Sequence, residues 1–323
     1  MLVIFYLWCY NYVVYGSGQE GSIYMKKYLK LLLATLILFT ISGCGSKKKE
    51  EVSLTPVEVI TKTISNQKAS DEGKVIVTLD MKLNYEGVNI DMPVSLTIDA
   101  KKVDDNRTNM KMVLSDNPYI GSQTLYLDYS GKNAITYMQG DLIAKMIGME
   151  DNSGYWIKQE VEADDSKEDE SLYTDVNAML EEFKKIDFGS VFTSNDVILV
   201  NKDGDVGQYR IHVTKDLLVR LSKLLGEEES LYNDFNGSMD VDVYINTKSN
   251  LLNKVVVNAL DFVKNIKVDE EEESLFDPSM FERLNLSMEI KYDGVDVSIP
   301  SEVVSKAITS EEYGNILASK SIG

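Results

Sequence analysis

Val75-Ile76-Val77-Thr78-Leu79-Asp80-Met81-Lys82-Leu83-Asn84-Tyr85-Glu86-Gly87-Val88-Asn89-Ile90-Asp91-Met92-Pro93-Val94-Ser95-Leu96-Thr97-Ile98-Asp99-Ala100 is the stretch on which the fold turns. Val75, Val77, Leu79, Met81, Leu83 and Tyr85 fall on every second position, and the pattern resumes after Glu86-Gly87 with Val88, Ile90, Met92, Val94, Leu96, Ile98 and Ala100. A strand sends successive side chains to opposite faces, so each run has one apolar face and one wet face. The Gly-containing break joins them as an antiparallel hairpin. Both arms exceed the usual strand of about five or six residues. Pro93, on the polar side, cannot donate to a ladder and points to an edge or a bulge.

Outward from this hairpin the same period recurs. Strands are predicted over 109–114, 123–129, 134–138 and 155–161, the middle two joined at Ser130-Gly131-Lys132. An acidic loop, Glu162 to Glu170, follows. Asp175 then caps a helix carrying Val176, Met179, Leu180, Phe183 and Ile186 at helical spacing. Val197–Val200 and Gln208–Val213 flank Asp203-Gly204 as a hairpin, and Thr214 caps a second helix with Leu217, Leu218, Leu221, Leu224 and Leu225. Strands over 239–245, 254–260, 284–292 and 295–299 close the series, and a terminal helix is predicted from about Ser301 after Pro300. Roughly ten strands grouped with two or three helices, without a βαβ rhythm, make an α+β fold on a mostly antiparallel sheet. An apolar sheet face needs a cover, and the amphipathic helices are the ones available.

The N-terminal region is set apart from the fold. From Met25 the chain runs Lys26, Lys27 and Lys30, then an apolar stretch from Leu31 to Ile41, then Ser42-Gly43-Cys44. A positive start, an apolar run short of the roughly 20 residues of a membrane span, and small residues before a cysteine resemble the bacterial lipobox, with Ile41 in place of its commonest leucine. The resemblance implies a signal peptide over 25–43, cleavage before Cys44 and a diacylglyceryl group on that thiol; an uncleaved signal anchor is the competing reading. Residues 1–24 are expected to be a mis-assigned extension, with translation starting at Met25, or else a second membrane segment. Residues 44–56, opening Gly45-Ser46-Lys47-Lys48-Lys49-Glu50-Glu51, read as a flexible tether. The expected domain then spans 57–310, and 311–323 is a C-terminal tail.

The chain has a formal net charge of −19. Removing residues 1–43 takes away three lysines and one glutamate, which leaves about −21 on the mature protein. Such acidity argues against nucleic acid, whose phosphates require a basic face. Of the two cysteines, Cys9 leaves with the leader and Cys44 is the lipidation site, so no disulfide is available.

Candidate chemistry is sparse. His212, the sole histidine, lies in Tyr209-Arg210-Ile211-His212-Val213 with no cysteine partner for a zinc site, and reads as a surface residue on the polar side of a strand. Asn201-Lys202-Asp203-Gly204-Asp205 resembles part of a calcium loop but lacks its terminal glutamate, and Asp-Gly between strands is a hairpin turn. Trp156, Tyr126, Tyr129, Tyr137 and Tyr155 gather at the second hairpin, as cross-strand pairs or as the lip of a ligand site. Met81, Met92, Met110 and Met112 fall on apolar strand faces, where methionine suits both ordinary packing and ligands of varied shape. No catalytic residue, metal ligand or cofactor is assigned, and no enzyme activity is expected.

The lipobox at Cys44, the long hairpin Val75–Ala100 after the tether, Gly154-Tyr155-Trp156-Ile157-Lys158 after a Tyr-rich hairpin and the closing Val297-Ser298-Ile299-Pro300 together resemble the lipoprotein carriers of the LolA / LppX–LprG-like superfamily and related uncharacterised Firmicute lipoproteins. The resemblance implies a strongly curved half-barrel with helices over its concave face and a cavity for acyl chains. The acidic segments 160–170 and 269–273 are not hallmarks of that family. On this reading the protein is a membrane-anchored, extracytoplasmic lipoprotein that binds or carries an apolar ligand such as a lipid. Its candidate lining residues are Val77, Leu79, Met81, Leu83, Val94, Leu96, Ile98, Met110 and Met112. The alternative is a non-catalytic scaffold lipoprotein of the cell envelope with a filled core.

Overall fold

The structure, a computed structural model, describes residues 54–65, 71–85, 87–104, 107–115, 121–130, 133–146, 154–162, 187–225, 237–264, 278–295 and 297–321. The expected signal peptide, Cys44, most of the tether, the helix over 175–186 and both acidic segments lie outside the described residues, apart from Glu160–Glu162 at the end of a strand.

The first described element is a helix, α1 (Pro56–Ser65), where the sequence reading ended a tether. Thr55-Pro56-Val57-Glu58 explains it. The Thr55 hydroxyl accepts from the Glu58 N–H at 3.3 Å, and the Glu58 carboxylate accepts from the Thr55 N–H at 2.7 Å. That is a capping box with proline at the first helical position. Twelve strands follow: β1 (Glu72–Tyr85), β2 (Val88–Asp104), β3 (Arg107–Ser115), β4 (Gln123–Ser130), β5 (Asn133–Gln139), β6 (Trp156–Glu162), β7 (Val197–Asp203), β8 (Val206–Thr214), β9 (Ser238–Asn246), β10 (Leu251–Asn258), β11 (Phe281–Lys291) and β12 (Ala307–Thr309). Between them lie α2 (Gly140–Met146), α3 (Lys215–Leu225), α4 (Leu260–Lys264) and α5 (Ser301–Ser305), and α6 (Ser310–Ser321) ends the described chain.

The hydrogen-bonded strand order is β12-β6-β5-β4-β3-β2-β1-β11-β10-β9-β8-β7, an open sheet. It is mostly antiparallel, as the meander of hairpins predicts; β12 runs parallel to β6. Gly87, at φ 82°, makes the turn between β1 and β2, and its N–H donates to the Asn84 side chain. The β2–β3 ladder begins at Ser95, so Pro93 sits beyond it, where its missing N–H costs no bond there.

Two expectations at the C-terminal end need correction. The described residues of 295–299 (295 and 297–299) are not in a strand. Gly294, at φ 72°, turns the chain away after β11, and the Val297 carbonyl accepts from the Asn109 side chain. Val295 and Val297 are nevertheless buried. Residues 311–323 are not a tail: α6 covers most of them and buries Tyr313 and Leu317. Its start is a second capping box, with Thr309 and Glu312 bonded reciprocally at 2.8 and 3.2 Å.

The chain divides into two compact units. The first gathers residues up to 70 with 81–91 and 172–287. Its centre is a buried apolar face: Tyr209, Ile211 and Val213 of β8 lie opposite Val243, Val241 and Met239 of β9, and Val255 and Val257 of β10 continue the rows. α1 packs beside β7, and α3 beside β8 with Leu217 and Leu218 buried. Gly207 is required here, because a Cβ would stand 2.6 Å from the Tyr209 ring. Around α3, the Arg220 guanidinium donates to the Val191 carbonyl and to the buried Asp196 carboxylate, which also accepts from the Thr193 N–H and hydroxyl.

The second unit gathers 71–80, 92–171 and 288–323. Here helices cover both faces of the strands, not one. Ala144 of α2 and Tyr313 and Leu317 of α6 pack on Ile157 and Ile308. On the other face, Val303 of α5 and Ile299 pack with Tyr126, Tyr137 and Trp156. Period-two alternation puts Trp156 and Ile157 on opposite sides, so a covered strand here needs two covers.

Candidate ligand-binding face

The second unit holds most of the residues that the sequence singled out. In the β2–β3 ladder Ile98 lies opposite Met112, Leu96 opposite Leu114, and Ala100 opposite Met110. The two strands therefore share one apolar face, as directly paired residues must. Ion pairs place β1 on the same scheme. Lys74 lies 3.3 Å from Asp99 and Lys101 lies 3.1 Å from Glu72, which aligns the polar faces of β1 and β2 and leaves Val77 and Leu79 on the side of Ile98. Val94, Leu96, Ile98, Met110, Met112, Val77 and Leu79 are thus brought to one face. Met81 and Leu83 continue the alternation along β1 but belong to the other unit.

Residues that the sequence reading passed over complete the face. Met112 lies opposite Leu125, Leu125 opposite Met138, Met138 opposite Ile157, and Ile157 opposite Ile308. One row, Ile98–Met112–Leu125–Met138–Ile157–Ile308, therefore crosses six strands with an apolar side chain at every step. The neighbouring rows turn polar. Leu96 and Leu114 lead to Gln123; Ala100, Met110 and Leu127 lead to Thr136 and Gln159. At about 4.8 Å per strand, Ile98 to Met138 spans on the order of 14 Å. The alternation of β4 contained Leu125 and Leu127, but only the register shows which face they join.

Burial along this face is uneven. Leu96, Met112 and Leu127 are buried, whereas Val94, Ile98, Met110, Leu114, Leu125 and Met138 are half-buried. At the far end Ile157 is 2% exposed beneath α2 and α6. One margin is polar: Gln123 Nε2 donates to Asp141 Oδ2 at 3.4 Å, and Lys145 Nζ lies 3.1 Å from the same oxygen.

The reverse face carries the Arg107–Asp128 pair and the aromatics Tyr126, Tyr137 and Trp156, whereas Tyr129 alternates onto the Leu125 face. Arg107 donates to both carboxylate oxygens of Asp128 at 2.8 and 2.6 Å, and this bonding raises the guanidinium pKa above its ordinary value. Tyr126 lies opposite Tyr137, with its ring 5.6 Å from that of Trp156. Burial, assisted by Glu302, pushes the Tyr126 phenol up. These aromatics stabilise the sheet under α5 and do not reach the Ile98 face.

The other sequence candidates resolve as structure. His212 is exposed on β8, with Nδ1 2.8 Å from Asp240 Oδ1. Beside it Arg210 is bidentate to Asp242, which raises its pKa. Asp203-Gly204-Asp205 is the β7–β8 turn, with Gly204 at φ 56°. Among the described residues there is no group of three or more His, Cys, Asp or Glu side chains placed to hold a metal ion.

No family model matches the chain, and no curated protein matches it. Solved structures do. LprF from Mycobacterium bovis is similar at 9% identity and TM-score 0.28, over 71% of this chain and 90% of that one. A DUF1329 family protein from Desulfovibrio piger is similar at 10% identity and TM-score 0.24, over 76% and 96%. An outer-membrane lipoprotein-sorting protein domain from Vibrio parahaemolyticus gives 9% identity and TM-score 0.18, over 81% and 97%. Among the described residues no helix is long and apolar enough to cross a membrane.

Proposed function

We propose that this protein is an extracytoplasmic lipoprotein, anchored to the membrane through acyl chains on Cys44, that binds or carries an apolar ligand such as a lipid on the Ile98–Met138 face. The observation that carries the reading is the row of apolar side chains crossing β2 to β5 in register, half-buried at most of its steps. Binding is passive: each methylene that leaves water for this face contributes about 0.8 kcal/mol. Met110, Met112 and Met138 suit a ligand of variable shape. Val77, Leu79 and Val94 flank the row. No catalytic step, metal or cofactor is assigned.

Native mass spectrometry of the chain purified from membranes tests the reading. A co-purifying lipid, together with an intact mass matching acylated Cys44–Gly323, supports it. The absence of both bound lipid and apolar-dye binding overturns the ligand assignment. A mass matching an unprocessed chain overturns the anchor.

A further inference from the structure

The apolar row does not end in the same surroundings in which it begins. Ile98, Leu125 and Met138 are half-buried, but one strand further Ile157 is closed over by Ala144 of α2 and by Tyr313 and Leu317 of α6. Tyr313 is fixed from two sides. Its hydroxyl donates to the Gly140 carbonyl at 2.7 Å, and Gly140 has no room for a Cβ, which would stand 3.0 Å from the ring. The start of α6 is held in turn by the Thr309–Glu312 capping box and by β12, whose Ala307, Ile308 and Thr309 pair with Trp156, Ile157 and Lys158. A buried, bonded phenol locked to a second helix is a wall and not a cover that swings away. Its departure would break the bond to Gly140 and uncover Ile157 together.

We infer that Tyr313 and Leu317 are specificity-determining residues that limit the length of apolar chain this protein accepts. The inference rests on the apolar-ligand reading above. Across β2 and β3 the flanking rows are apolar too, but towards β5 and β6 they turn polar at Gln123, Thr136 and Gln159, so a linear chain reaching Met138 is confined to the Ile98–Met112–Leu125–Met138 row at its forward end. Its forward end then meets the Tyr313 ring over Ile157. The ligand class is accordingly a linear, unbranched alkyl chain, and removing the wall lengthens the track by Ile157 and Ile308.

The test is a chain-length profile: displacement of a fluorescent fatty-acid probe from the full-length chain by saturated fatty acids of increasing length, for wild type, Tyr313→Ala and Leu317→Ala. Wild type is expected to lose affinity beyond a cut-off length. Both variants should move the cut-off to longer chains, tightening the first excluded members by about fourfold for each additional methylene that becomes buried. Tyr313→Phe keeps the ring and should keep the wild-type cut-off. If wild type binds but both alanine variants retain its cut-off, the wall is overturned while the ligand reading stands. If wild type binds no member of the series, the ligand reading itself fails. Should Tyr313→Ala not fold, Leu317→Ala alone carries the comparison, since it keeps the bond to Gly140.

Discussion

The hydroxyl of Tyr313 and the carbonyl of Gly140, 173 residues apart in the chain, are joined by a 2.7 Å buried hydrogen bond. It fastens the C-terminal helix α6 to the start of α2. A Cβ on Gly140 would stand 3.0 Å from the ring, so any side chain there would have to push the ring aside. The two residues form one lock, the glycine providing space and an acceptor, the tyrosine a ring and a donor.

Tyr313→Phe should therefore destabilise the protein by about 0.5–1.5 kcal/mol, because a buried hydrogen bond is lost while the ring stays. Gly140→Ala should cost about 1–3 kcal/mol through overpacking. A double-mutant cycle by urea denaturation should show the two effects as non-additive. Additive losses would mean the contact is not coupled.

Asp196 gives the first unit a comparable lock. Its carboxylate is largely buried and accepts from Arg220 and from both donors of Thr193. Asp196→Ala should cost about 2–4 kcal/mol, below the full value for a buried pair because Arg220 is about one-third exposed and stays partly solvated. Arg220→Lys keeps the charge but not the fork that also reaches the Val191 carbonyl, and should fall between wild type and Asp196→Ala. Equal midpoints for Asp196→Ala and wild type would refute the lock.

The two capping boxes make α1 and α6 sensitive to acid. Bonding by the Thr55 backbone N–H, then by its hydroxyl, holds Glu58 below the usual carboxylate range, and Thr309 does the same for Glu312. A folded pKa below the unfolded one means stability that is complete above the unfolded value and is lost as pH falls through the folded value. Glu58→Gln and Glu312→Gln should each lower stability at neutral and alkaline pH and change little at strongly acidic pH, which flattens the acid limb of the stability–pH curve. A loss of stability on raising the pH instead would reverse the sign and refute the assignment.

Leu125→Ser places a hydroxyl in the middle of the apolar row. Binding of an apolar dye or co-purified lipid is expected to weaken by about tenfold, in line with the loss of a buried leucine's transfer free energy. His212→Ala, on an exposed face of β8, should leave binding unchanged. Equal loss in the two variants would move the ligand site elsewhere.

Much of the fold was legible in the sequence, and the reasons are local. Period two in 75–100, Asp203-Gly204 between two apolar runs and Thr214 before a leucine-rich period each specify an element through neighbouring residues alone, and each element is present. The capping boxes Thr55–Glu58 and Thr309–Glu312 are just as local; the first starts α1 at Pro56, the last residue of the expected tether, and the second starts α6, which covers most of the expected tail 311–323. Val295, Val297 and Ile299 have strand-like alternation but are not in a strand; Ile299 packs with Tyr126, Tyr137 and Trp156, and it is Ala307–Thr309 that pairs with β6. Alternation reports which side chains are buried; it does not report what buries them.

For the candidate site, the sequence determined that Ile98 and Met112 project from an apolar face, since the two-residue period of a strand is set by backbone geometry at each position. Only the tertiary structure decided that Met112 meets Leu125, that Leu125 meets Met138, and that Tyr313 closes over Ile157 at the end of that row. Register between strands and the seating of a distant helix depend on contacts made across the fold, and no local pattern of residues encodes a partner 173 positions away.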